Sequence, residues 1–158
     1  MQGGDKLFDR LVVRARLIRN EDLRDSWFET LGEFGVAQLP KAIALVTGPE
    51  IEPDVAWAAV ARYLERPSTR LAAWRAVKAQ LPAILRRMSP QDERDVIDAL
   101  SELCDKPARD EVEAAFAPHV ASIPDGAAHL AGTLGTIDSC ITRRSRLGDL
   151  AAALAASR

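Results

Sequence analysis

The sequence predicts an all-α protein, and three observations point to this class. Alanine, the strongest helix former, occurs 27 times among the 158 residues, whereas aromatic side chains make up only 5% of the chain. The β-branched residues never form a long run, so no strand is predicted. Apolar residues recur at helical spacing, with proline or glycine at most joints. We therefore expect about eight helices in a single domain over residues 1–158.

The first two helices are predicted on either side of Asn20. Asn20 is followed by two acidic residues and is suited to cap the second helix, and Gly35 is suited to end that helix in a left-handed conformation. The joint is short, so the two helices should pack antiparallel. Their predicted buried stripes are Leu7, Leu11, Ala15 and Ile18 in the first helix, and Leu23, Trp27, Leu31 and Phe34 in the second.

Prolines divide the next part of the chain. Pro40 fits the first turn of a third helix that ends at about Val46, and the segment 47–53 is the clearest loop of the sequence. A fourth helix is predicted between Pro53 and Pro67. Its inward side chains should be Trp57, Val60 and Leu64.

Ser68 is a candidate cap for the fifth helix, and Pro82 should kink or break that helix near its end. The predicted buried face holds Leu71, Trp74, Val77 and Leu81. The pair Ser89-Pro90 repeats the cap-and-proline pattern and should start a sixth helix. The sixth helix should bury Val96, Leu100 and Leu103.

A seventh helix around residues 112–116 is predicted between Pro107 and Pro118. The last long helix should begin near Pro124, and Gly148 should separate it from a small alanine-rich tail helix. The buried side of the long helix should hold Ala127, Leu130, Leu134, Ile137 and Ile141.

A faint internal repeat suggests how these helices are arranged. The segments 31–34 (Leu-Gly-Glu-Phe) and 100–103 (Leu-Ser-Glu-Leu) begin 69 residues apart, about twice the period of a stacked helix pair. Together with the regular succession of short helices, this spacing favours antiparallel hairpins stacked as a HEAT/armadillo-like α-solenoid over a four-helix bundle.

The charge balance and the hydropathy exclude two kinds of partner. The 21 basic and 23 acidic residues give a net charge of −2, which argues against nucleic acid. A segment that spans a bilayer needs about 18 consecutive apolar residues, and the sequence has no such run, so no membrane partner is predicted. The N-terminal residues lack the layout of a signal peptide, and we expect a cytoplasmic location.

The chain has few residues of the types that usually act as catalytic groups or metal ligands. Cys104 and Cys140 lack the paired spacing of a zinc site and are interpreted as buried thiols. His119 and His129 lie ten residues apart without a carboxylate at ligand spacing and are interpreted as surface or helix-terminal residues. We therefore predict no catalytic residue, no metal ligand and no cofactor in this chain, which is not expected to be an enzyme by itself.

Charge is unevenly distributed along the chain. Residues 89–125 hold ten acids and three bases, which we interpret as a solvated face. Arg143, Arg144 and Arg146 form a cluster without an acid, either as a cationic helix C-terminus or as a clamp for a carboxylate or phosphate. These three arginines are the candidate substrate-binding residues.

The order of several short segments resembles the C-terminal helical domain of aminopeptidase N-type zinc metallopeptidases, the family of membrane alanyl and puromycin-sensitive aminopeptidases. The similarity consists mainly of the spacing of apolar residues, with a few short segments of similar sequence, and it covers roughly residues 5–142. The segments that carry it are 7–11, 23–34, 71–78, 100–105, 111–119 and 126–137.

The resemblance implies a parent hydrolase that removes N-terminal residues from peptides with one zinc ion, held by an H-E-x-x-H helix outside this chain. This chain would be the non-catalytic C-terminal fragment, which covers the active site and restricts peptide access. Its partners would be the catalytic domain of the same parent chain and the parent's peptide substrates. The alternative is a free-standing helical-repeat scaffold that binds a protein partner.

Overall fold

The computed structural model describes residues 2–156, and within them the protein is all-helical, as predicted, with no strand. Short 3-10 turns precede the third helix (Val36–Gln38) and follow the sixth (Ala99–Glu102). The eight helices of this part of the chain are α1 (Gln2–Ala15), α2 (Glu21–Leu31), α3 (Leu39–Thr47), α4 (Pro53–Glu65), α5 (Arg70–Leu85), α6 (Asp92–Asp98), α7 (Lys106–Phe116) and α8 (Gly126–Ala156).

Most helices pack on near neighbours in the chain. The first five form one group, in which α2 and α3 both contact α4, and α5 contacts α3 and α4. The last three form a second group, in which α6 and α7 both pack on α8. Contacts of α5 with α7, and of α4 with the 99–102 turn, join the groups. This order is compatible with stacked hairpins, while the HEAT-like form of the stack stays a prediction.

The apolar faces of all eight helices meet in one continuous core. Its largest fully buried side chains include Trp74, Tyr63 and Phe116. Burial of Trp57 and Trp74, at 5% and 1% exposure, confirms two of the three tryptophan assignments. Trp27 is only half-buried, because it packs at the edge of the core rather than inside it.

The predicted start of α2 is confirmed by its hydrogen bond, and the predicted start of α6 lies two residues too early. The side-chain oxygen of Asn20 accepts from the backbone N–H of Leu23 at 2.9 Å, which caps α2. The backbone N–H of Ser89 donates to the Asp92 carboxylate at 3.1 Å, and the N–H of Asp92 donates to the Ser89 hydroxyl at 3.3 Å. This reciprocal pair satisfies two donors in the turn that leads into α6, which begins at Asp92 with Gln91 rather than Ser89 in the cap position.

The predicted end of α2 is wrong by one turn. The helix ends at Leu31 with Gly32 as its cap, and Gly35 has a φ of −70° rather than a left-handed conformation. The physical reason lies in α4. A Cβ atom on Gly32 would stand 2.3 Å from the Cβ of Arg62, so only glycine lets the end of α2 approach α4 this closely.

The predicted start of α5 also needs correction. Thr69, not Ser68, occupies the cap position, and its hydroxyl donates to the Tyr63 carbonyl of the preceding helix at 2.6 Å. Leu71 was expected in the core but is 40% exposed, because the inward position at this end of the helix belongs to Ala73. Pro82 does not break the helix, which continues to Leu85.

The last helix is longer than predicted. It passes Gly148 without interruption and extends to Ala156, the last residue that the structure describes, so the separate tail helix is wrong. Near its start, Ala127 is exposed rather than buried. On the rest of the predicted inner face, Leu130, Leu134 and Ile137 are buried, whereas Ile141 is only half-buried.

Candidate functional site

The three candidate arginines lie on an exposed segment of α8. Every residue from 142 to 150 is exposed, and Arg143, Arg144 and Arg146 are among them. The helix continues for ten residues past Arg146, so the interpretation of these arginines as a helix C-terminus is wrong. The macrodipole acts only in the last turn and therefore does not explain why three cations stand here.

Helical periodicity brings two of the three arginines together. Arg143 and Arg146 border a shallow depression of about 430 Å³ with Asp138, Ser139 and Thr142, whereas Arg144 does not line it. None of the three guanidinium groups forms an ion pair within the described part of the chain. We call the pair Arg143 and Arg146 the arginine pair.

The carboxylate that lines this depression with the arginine pair already has a partner. Asp138 lies 3.2 Å from the Nε atom of Arg109 on α7. Arg109 also pairs with Glu113, and these contacts raise the pKa of its guanidinium, with the Glu113 hydrogen bond as the largest cause. Since Asp138 is shared with Arg109, it offsets the charge of the arginine pair only in part.

A disulfide between Cys104 and Cys140 lies just before the arginine pair in α8. The prediction of two buried thiols is therefore wrong: the sulfurs are bonded, the Cα atoms are 5.5 Å apart, and both residues are half-buried. Cys104 lies in the connection between the 99–102 turn and α7, and Cys140 lies in α8. The bond therefore ties α8 to the α6–α7 connection.

The helix is well supported up to the disulfide. Thr133 is buried at 4% exposure and places its hydroxyl 3.4 Å from the Ile97 carbonyl of α6. Buried Ile137 and half-buried Ile141 pack on the core one turn apart. Beyond Ile141 the exposed segment has no buried residue as far as Leu150, so within residues 126–150 the arginine pair is supported only by the turns before it.

The two histidines lie in other places. His129 holds its Nδ1 atom 3.2 Å from the Asp98 carboxylate and so links α8 to α6. It borders an open depression of about 420 Å³ with Asp125 and Ser101. His119 lies near Glu93, whose pKa is raised by burial. No group of three potential metal ligands is found within the described residues.

The acidic stretch 89–125 proves to be more than a solvated face. Asp105 caps α7 by accepting from the N–H of Ala108 at 3.0 Å. Glu111 accepts from Trp74 Nε1 and pairs with Lys78, each at 2.9 Å, and the Lys78 hydrogen bond is the largest cause of the lowered pKa of Glu111. Several of these acids therefore join one helix to the next.

Comparisons with models of protein families, with curated proteins and with solved structures found no match. Among the helices of the described residues, none is both long enough and apolar enough to cross a membrane.

Proposed function

We propose that this chain is the helical C-terminal domain of an aminopeptidase N-type zinc metallopeptidase, where it covers the active site and restricts peptide access. The proposal is supported by the resemblance of residues 5–142 and by an all-helical fold in which the resembling segments fall largely on helices. In this role the chain supplies no zinc ligand, and the catalytic zinc belongs to the parent's catalytic domain.

The observation that carries the proposal is the exposed arginine pair. Two guanidinium groups that line the same depression offer N–H donors that match a carboxylate, such as the C-terminus of a peptide held at its other end by the catalytic domain. The Cys104–Cys140 bond and Ile141 hold the helix next to this pair. The pair therefore has a defined position although its side chains face solvent.

Contact with the catalytic domain would strengthen this weak site. An exposed ion pair contributes about 0–1 kcal/mol because water screens it. A wall opposite α8 would exclude water and increase the electrostatic attraction. A peptide that spans the space between the two domains would therefore bind better than a short one, which is how the domain would select by length.

The test uses the full-length product of the gene that encodes this chain. We expect the R143A/R146A variant to raise KM about 5- to 20-fold for a ten-residue peptide, with no change for an aminoacyl chromogenic substrate. The R144A variant, which removes a cation outside the depression, is the matched control and should behave as wild type. Equal KM values for R143A/R146A and wild type on the long peptide would contradict the role of the pair.

One observation favours the alternative of a free-standing scaffold. Leu147 and Leu150 are 61% and 57% exposed on the same segment of α8, and exposed leucines at helical spacing suit a protein partner. The reading frame separates the two proposals. A frame that continues upstream and encodes H-E-x-x-H supports the peptidase, whereas an independent start codon at Met1 supports the scaffold.

The disulfide revises the expected compartment. Disulfides persist in secreted, periplasmic and other oxidising environments and are rare in the cytosol. The Cys104–Cys140 bond therefore favours maturation in an oxidising compartment over the cytoplasmic location expected from the sequence.

A further inference from the structure

The Cys104–Cys140 bond occupies a distinctive position in α8. It joins two points that are 36 residues apart in the chain and lies next to Ile141, after which residues 142–150 are all exposed. The exposed segment that begins at Thr142 follows directly. The disulfide is thus a covalent cross-link that anchors α8 directly before the arginine pair.

One end of the disulfide, Cys140, borders open space. Cys140 lines an open depression of about 410 Å³ that also includes Ser139, Thr136 and Glu102, and the residue is only half-buried. Arg143 borders the same depression. A reductant that reaches the Cys140 sulfur therefore arrives beside the candidate carboxylate site.

Loss of this bond should have a local effect. The rest of α8 keeps its own contacts, through Leu130, Leu134 and Ile137 on the inner face and Thr133 against α6. The segment from 142 to 150 has no such contacts, and an isolated helical segment of this length is marginal in water. Reduction should therefore loosen the end of α8 while the core stays folded.

We propose that Cys104–Cys140 is a reversible redox tether that controls whether the arginine pair is held in place. A thiolate of a dithiol reductant attacks the Cys140 sulfur and forms a mixed disulfide, and Cys104 leaves as a thiolate. The second thiol of the reductant then displaces Cys140, so the reductant becomes a disulfide and this chain takes up two electrons and two protons. The link to peptide binding rests on the proposed function.

The first arm of the test measures the tether alone by hydrogen–deuterium exchange of the 158-residue chain, oxidised and after treatment with dithiothreitol. We expect amides in residues 138–150 to exchange at least tenfold faster in the reduced chain, with no change in α4. The C104S/C140S variant should resemble the reduced chain and should not respond to the reductant.

The second arm measures binding of an N-acetylated tetra-alanine peptide with a free C-terminal carboxylate, with its C-terminal amide as the control. Reduction should weaken binding of the carboxylate at least fivefold. Faster exchange together with equal carboxylate binding in both states would overturn the coupling. Faster exchange with no carboxylate binding in either state would support the tether and contradict the proposed arginine site.

Three results would overturn the tether itself. The first is the capture of two thiols by iodoacetamide in protein purified without reductant, which would show that no disulfide forms. The second is resistance of the native disulfide to dithiothreitol. The third is unchanged exchange in residues 138–150 after complete reduction, which the C104S/C140S variant checks independently of reductant access.

Discussion

Several arginine side chains in this protein donate hydrogen bonds to backbone carbonyls at the C-terminal ends of earlier helices. Arg87 donates to the carbonyl of Val46 at 2.7 Å and of Ile51 at 3.1 Å, and also to the carbonyl of Gly48. Arg66 donates in the same way to the end of α2, and Arg70 to the end of α4. Each guanidinium satisfies carbonyls that have no partner within their own helix.

This role of Arg87 leads to a stability prediction. The R87A variant should lower the free energy of unfolding by about 2 kcal/mol, because charge-assisted hydrogen bonds to several carbonyls are lost and those groups remain partly buried. Chemical denaturation measures the change. The R75A variant removes an exposed arginine from α5 and should leave the midpoint nearly unchanged. Equal midpoints for R87A and R75A would show that the loop after α3 does not depend on Arg87.

Trp74 is the largest side chain of the core that is fully buried. The W74A variant should lower the free energy of unfolding by about 3–5 kcal/mol through the cavity that it leaves. It also removes the Nε1 donor to Glu111 on α7. The same change at half-buried Trp27 should cost less in the same denaturation measurement. A W74A midpoint equal to that of wild type would contradict the assignment of this helix face to the core.

At the scale of the helices, the sequence predicts the existence and type of the elements much better than their ends. Stripes of apolar residues and the prolines between them locate the helices because both signals are local. Helix ends depend on contacts with other helices. Gly32 rather than Gly35 caps α2, because Gly32 lies against α4. Thr69 rather than Ser68 occupies the cap position of α5, where its hydroxyl bonds the Tyr63 carbonyl.

Pro82 and Gly148 do not end their helices, because neither residue removes enough stabilisation by itself. Pro82 lacks the N–H that would bond the Lys78 carbonyl, but this is the loss of one hydrogen bond, and α5 continues to Leu85 with Leu81, Ile84 and Leu85 buried. Gly148 costs about 1 kcal/mol relative to alanine and does not end α8 by itself, since the helix formers around it extend the helix to Ala156.

Glycine substitutions test the packing of α2 on α4. The G32A variant should lower the free energy of unfolding by more than about 2 kcal/mol, because its Cβ would meet Arg62 Cβ at 2.3 Å and the Ala59 carbonyl oxygen at 2.6 Å. The G148A variant has open space at the new Cβ and should stabilise α8 by about 0.5–1 kcal/mol. Thermal unfolding of both variants measures the contrast. A G32A protein as stable as wild type would contradict the close approach.

At the scale of the whole molecule, the candidate site is only partly predictable from the sequence. The three arginines are visible as a charge cluster, and helical spacing alone places Arg143 and Arg146 on one side. The disulfide is not predictable in this way, because it depends on how α7 and α8 pack across 36 residues of chain. The unbroken length of α8, which removes the helix-terminal explanation for the arginines, also appears only in the structure.

The role proposed for this chain is that of a non-catalytic part of a zinc aminopeptidase. The most direct measurement is the zinc content and aminopeptidase activity of the full-length gene product beside the purified 158-residue chain, both after dialysis. We expect one zinc per full-length molecule with cleavage of aminoacyl chromogenic substrates, and neither zinc nor cleavage for the chain alone. A full-length product without zinc or activity would contradict it, as would turnover by the chain that scales with its concentration.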